Sequence, residues 1–101
     1  WCNFTNSSGA VIQSSFNVSS VTRNSTGYYT IAFSNQTTDA NYSYVVSASG
    51  TYAANGVPAG MYLNTNGSTE IAPATTGFSF ATFAQTFNLT DFKYINVAVF
   101  R

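Results

Sequence analysis

The sequence predicts an all-β protein, a small antiparallel β-sandwich of about seven or eight strands in one domain spanning residues 1–101. Three observations predict it. Runs of four to nine residues rich in β-branched and aromatic side chains recur along the chain, several of them alternating apolar and polar. Clusters of Asn, Ser, Thr, Asp and Gly separate these runs, as tight turns require. No stretch has helical periodicity, and the Ser, Thr, Asn, Gly and β-branched content disfavours a helix.

The first strand is expected over Trp1–Thr5, with a turn at Asn6-Ser7-Ser8-Gly9. Ala10–Phe16 is the second strand, with Ile12 and Phe16 on one face. Cys2 reads as a small apolar residue facing a core or interface, since a lone cysteine has no intrachain disulfide partner. Trp1 is a possible sugar-stacking platform, but a core or interface position is the expectation.

Val18–Arg23 is the third strand, Asn24-Ser25-Thr26-Gly27 the turn, and Tyr28–Phe33 the fourth strand. Alternation puts Tyr29, Ile31 and Phe33 on the core face and Tyr28, Thr30 and Ala32 on the other. Ser34–Asn41 is a polar connection. Tyr42–Ala48 resumes as a strand, with Gly50 as its stop.

Residues 50–77 are the least regular part. Asn66-Gly67, between Met61–Thr65 and Ser68–Ala72, is the strongest hairpin signal in the chain, and Pro73 ends it. Phe78 and Phe80 alternate as a strand should, but Phe83 and Phe87 fall on the opposite parity. Either a bulge intervenes or both faces of that strand are covered, which would suit a subunit interface. Asn88-Leu89-Thr90-Asp91 is a turn, and Phe92–Phe100 is the last strand with Ile95, Val97 and Val99 inward.

Composition restricts function. Charged residues are 6% of the chain and formal net charge is zero, which leaves no basic surface for nucleic acid and no polybasic membrane anchor. No run is long and apolar enough for a membrane helix. Aromatic residues are 17%, a heavy load for a small uncharged chain, and an oligomer that hides some of them is the economical expectation. The absence of histidine removes a Ser-His-Asp triad and the commonest metal ligand. A lone cysteine cannot build a zinc site, and nothing resembles a calcium loop, so no metal and no cofactor are expected. The carboxylates are Asp39, Glu70 and Asp91. A glycosidase pair of Glu70 with Asp39 or Asp91 is conceivable, but Asp39 and Asp91 read better as turn residues bonding nearby backbone. The N-x-[ST] pattern occurs at Asn3, Asn6, Asn17, Asn24, Asn35, Asn41, Asn66 and Asn88. Taken literally it describes a secreted N-glycosylated adhesin domain, but a chain this rich in Asn, Ser and Thr produces it by composition.

A binding surface is expected in the irregular region. Tyr52, Asn55, Tyr62, Asn64 and Asn66 combine rings that stack on apolar sugar faces with amides that bond hydroxyls.

Several motifs, in order, carry a family resemblance. They are Trp1-Cys2-Asn3-Phe4, then Phe16-Asn17-Val18-Ser19-Ser20-Val21-Thr22, then Gly27-Tyr28-Tyr29-Thr30-Ile31-Ala32-Phe33, then Asp39-Ala40-Asn41-Tyr42. Together they resemble a module at the distal ends of bacteriophage tail fibres, and the closing Ile95–Phe100 is similar to the way such fibres end. The likeness covers residues 1–48 well and 92–101 loosely; nothing between Gly50 and Asp91 shares it. The family often has Pro where Thr38 precedes Asp39, which bears on the local turn. The resemblance implies the C-terminal tip of a longer fibre chain, in keeping with a start on Trp1 without an initiator Met. It implies a homotrimer at the distal end of the fibre in the virion, binding a bacterial surface polysaccharide or outer-membrane protein without catalysis or membrane insertion. A module that only caps or trimerises the fibre is the alternative.

Overall fold

Among the described residues eight strands follow one another: β1 (Cys2–Asn6), β2 (Ala10–Ser15), β3 (Val18–Ser25), β4 (Tyr28–Phe33), β5 (Ser43–Thr51), β6 (Gly60–Leu63), β7 (Gly77–Phe83) and β8 (Phe92–Phe100). The computed structural model describes residues 1–6, 9–51, 60–63, 65, 69–84 and 88–101. All pairings are antiparallel, and the strands form two sheets packed as a sandwich. Sheet 1 has the order β2-β1-β8-β5. Sheet 2 is built on β3-β4-β7, and the short β6 pairs along β7 to extend it.

The chain passes between sheets after β2, β4, β5 and β7, so each sheet is assembled from both halves of the sequence. The core lies between them. Phe4, Tyr29, Phe80, Phe92, Ile31 and Ile95 are its largest fully buried side chains. Phe4 meets the Tyr29 ring edge-on at 5.4 Å between centroids, and Phe80 stacks on its other side at 5.5 Å. Phe78 continues the aromatic seam towards Tyr42 and Tyr44. Much of the aromatic load is therefore buried within one chain, which weakens composition as an argument for an oligomer.

The predicted core faces of β4 and β8 hold. Tyr29 and Ile31 are buried, Phe33 packs partly buried against them, and Ile95 and Val97 are buried with Val99 at the margin. Phe78, Phe80 and Thr82 alternate with Gly77, Ser79 and Ala81 on β7, and all six are buried. Pairing with β4 and β6 shows no register shift. So within β7 both faces are covered, with Ile71, Ala72, Ala74 and Thr76 beside Thr30 and Ser79; Phe87 lies outside the described residues. No partner subunit is needed to explain it.

Several boundaries move. Ser25 pairs with Tyr28, so the β3–β4 turn is Thr26-Gly27 alone, with an irregular register at Arg23/Ser25. Gly50 does not stop β5; it takes a positive φ of 68° and the strand continues to Thr51, opposite Phe92. β2 ends at Ser15, because Phe16 and Asn17 form a bend and Asn17 adopts φ 57°. Asn tolerates that region, and here its side-chain oxygen accepts the Asn35 N–H at 2.8 Å. The predicted hairpin around Asn66-Gly67 lies largely outside the described residues. β6 pairs with β7, and among the described residues an antiparallel bridge joins Thr65 to Glu70, one from each predicted arm.

Thr38 stands where Pro would, yet the turn forms without it: the Asp39 carboxylate accepts the Asn41 N–H at 2.8 Å. Beyond this turn the Tyr42 hydroxyl lies 2.9 Å from the Ala74 carbonyl and 3.0 Å from that of Gly77, sharing one proton between them. This contact ties the start of β5 to the turn before β7. Tyr42→Phe is expected to lower unfolding free energy by about 1 kcal/mol, read as a lower midpoint in denaturant with an unchanged slope.

Candidate binding surfaces and the buried polar centre

Two candidate surfaces and one polar network bear on function. The predicted site comes first. Tyr52, Asn55, Asn64 and Asn66 lie outside the described residues. Tyr62 lies in β6, where its backbone pairs with Ala81; its side chain is also outside them. The described strand ends nearby belong to both sheets, Thr51 in sheet 1 and Gly60 in sheet 2.

Asp91 differs from its expected role. It is no turn residue bonded to its own neighbourhood. Its carboxylate takes the Gly27 N–H at 2.8 Å and the Tyr29 hydroxyl at 2.7 Å. Arg23 meets it through Nε and Nη2, the shortest contact being 2.6 Å. Tyr29 in turn accepts the buried Asn6 amide at 2.9 Å. A chain of polar contacts thus runs from β1 through the core Tyr to the β3–β4 turn and the start of β8. Burial alone would raise the Asp91 pKa, but hydrogen bonds from Arg23, Gly27 and Tyr29 outweigh it and hold the carboxyl below its usual range. Burial, then the Asp91 carboxylate, push the Tyr29 phenol well above its ordinary value. Both groups are committed to each other at neutral pH, a structural arrangement. Sequence reasoning missed it because its members are up to 85 residues apart, from Asn6 to Asp91.

Asp39 sits in its turn and pairs with Arg101 at 3.0 Å, both half exposed. Glu70 is exposed at its bridge to Thr65. No group of three or more His, Cys, Asp or Glu side chains that could hold a metal occurs among the described residues. Cys2 is buried, and burial pushes its thiol up to about 11 against the opposing α-ammonium of Trp1, so the thiol form prevails at neutral pH. That agrees with its expected packing role.

The sequon asparagines at the front of the chain have other partners. Asn6 is buried against Tyr29, Asn17 brackets the Asn35 backbone, and the amide nitrogens of Asn3 and Asn24 donate to Asn96 and Thr30. A glycan on Asn6 would have to open the core.

The second surface is the outer face of sheet 1, which sequence reasoning did not single out. Trp1 was expected in a core or interface; it is 53% exposed in this chain. The reason is positional: Cys2 and Phe4 turn into the core, so alternation turns Trp1 and Asn3 outward. Val45, across the sheet, is 58% exposed. Trp1, Asn3, Val45, Ser47, Asn96 and Ala98 border a shallow depression of about 360 Å³.

These features define a class: an antiparallel β-sandwich whose candidate surfaces are an exposed sheet face and the region between β5 and β7, with its best-connected carboxylate committed to structure. The chain matches no family model, no curated protein and no solved structure.

Proposed function

We propose that this chain is the distal, receptor-binding module of a bacteriophage tail fibre, acting as a homotrimer on a bacterial surface polysaccharide or outer-membrane protein during host adsorption. The observation that carries this reading is the ordered set of motifs within residues 1–48. In the structure those motifs fall on frame elements: β1, the β2–β3 bend, the β3–β4 hairpin and the entry to β5. The stretch without resemblance contains the predicted contact residues Tyr52, Asn55, Tyr62, Asn64 and Asn66. A retained frame carrying a divergent connection is the arrangement expected of a module that changes target without changing fold. Trimerisation would multiply weak contacts through avidity, and activity would consist of binding, not catalysis.

The test is adsorption of fibres to host cells. Tyr52→Ala together with Tyr62→Ala is expected to reduce adsorption about tenfold or more, since aromatic anchors dominate such contacts. Unchanged adsorption would remove these residues from the proposal. An isolated trimer that binds no host cell would leave the module as a fibre cap.

A further inference from the structure

We propose that the outer face of sheet 1 is a carbohydrate-binding platform for a neutral oligosaccharide, with the Trp1 indole as the stacking surface and Asn3, Asn96 and Ser47 as the hydroxyl-binding row. The register carries the argument. Asn3 pairs with Asn96, and Asn96 with Ser47, so these three side chains form one row across three strands. The next outward row is apolar. Val45 pairs with Ala98, and continuing the Cys2–Val97 register by one residue sets Trp1 beside Ala98. Phe16, 72% exposed, lies beside Trp1 and donates its N–H to the Trp1 carbonyl. The rows are two residues apart along each strand, about 7 Å.

The two rows offer different chemistry side by side. The Trp1 ring presents an apolar face beside the depression, able to cover the C–H face of a sugar. In the polar row the Asn3 amide donates to the Asn96 side-chain oxygen at 2.5 Å. That fixes both amides and leaves the Asn3 oxygen as an acceptor and the Asn96 nitrogen as a donor. Neither atom, nor the Ser47 hydroxyl, has a further partner among the described residues. A fixed acceptor and donor in one row suit neighbouring sugar hydroxyls, each of which both donates and accepts.

Charge selects the ligand. The depression is lined by no charged side chain; the α-ammonium of Trp1 is bonded to the Phe16 carbonyl at 3.1 Å. An anionic glycan would find no cationic side chain in the lining, and a neutral one needs none. Whatever covers this face has to supply partners for the free amide groups and the Ser47 hydroxyl. A polyhydroxylated ligand supplies those partners. The platform uses none of Tyr52, Asn55, Tyr62, Asn64 and Asn66, so it stands or falls apart from the fibre reading.

Trp1 is the sole tryptophan, so its fluorescence reports this face alone. Titration with malto-, cello-, laminari- and galacto-oligosaccharides at millimolar concentration is expected to give a saturable change with at least one series, and none with oligogalacturonate. Asn96→Ala should weaken that binding about tenfold. By calorimetry, Trp1→Ala should weaken it at least as much while Trp1→Tyr retains it, each variant being checked for an unchanged melting transition. The proposal is overturned if no neutral series binds, if oligogalacturonate binds equally, or if Trp1→Ala binds as the parent does. Light scattering that shows an oligomer dissociated by Trp1→Ala would also overturn it, assigning the face to a second copy.

Discussion

The Gly77→Ala protein is expected to lose more than about 3 kcal/mol of stability, a large share of what a domain of this size has. Gly77 opens β7 with φ at 151°, a conformation that L side chains rarely adopt. A Cβ there would lie 1.9 Å from the Ile31 carbonyl oxygen and 3.1 Å from the Ala32 Cα, both backbone atoms of β4. Neither can move without breaking the β4–β7 ladder, in which Gly77 sits opposite Ala32. The same residue exchanges hydrogen bonds with Ala74 in both directions and lies within reach of the Tyr42 hydroxyl. Displacing it therefore loosens the sheet centre and the β5 anchor together. A thermal melt checks this, the expected fall in midpoint being about 12 °C or more. A loss under 1 kcal/mol would show that β7 can shift away from β4 at little cost.

Asp91→Ala is expected to lower stability by about 2–3 kcal/mol, most of it from stranded partners and little from the ion pair. Arg23 is 32% exposed, so water screens that contact and Arg23→Ala should cost only about 0.5–1 kcal/mol. Removing the carboxylate instead leaves the Gly27 N–H and the Tyr29 hydroxyl without their acceptor. Gly27 cannot simply swing away, because a positive φ of 67° and the Thr82 N–H donated to its carbonyl hold the turn. Asp91→Asn, which keeps an acceptor, should fall between the two. Equal losses for Arg23→Ala and Asp91→Ala would mean that the ion pair, and not the turn, is what Asp91 supports.

The same carboxylate sets an acid limb. Its pKa is lower folded than unfolded, so the stabilisation is present above the unfolded value near pH 4 and is lost as pH falls through the folded one. The melting temperature should thus decline below about pH 4, and Asp91→Asn should flatten that decline. An identical acid profile for parent and variant would place the linkage elsewhere.

How much of this was legible beforehand follows from what each feature depends on. The inward faces of β4 and β8 depend on alternation along one strand, and Tyr29, Ile31, Ile95 and Val97 were read correctly. Strand ends depend on pairing, and pairing overrode local signals. Gly50 and Asn24-Ser25 look like breakers, yet β8 pairs with Ser49 and Thr51 on either side of Gly50, and β4 pairs with Arg23 and Ser25 on either side of Asn24, so the strands continue through them. The face-to-face burial of β7 was ambiguous in sequence because the cover comes from residues 71–76, whose position alternation cannot give. Of the predicted contact residues only the Tyr62 backbone falls within the described residues.

By itself the sequence determined the all-β class, the approximate strand set and the inward side of its clearest strands, because these follow from the two-residue repeat of a pleated backbone and from turn chemistry. It also determined that His-dependent chemistry is closed to this chain. Only the tertiary structure decided that Asp91 reaches the β3–β4 turn, that Trp1 faces out, and that Trp1, Asn3, Asn96 and Ser47 share one surface. Those facts depend on which distant strands pair and in what register, and that choice is made by the joint burial of both sheets, which no local stretch contains.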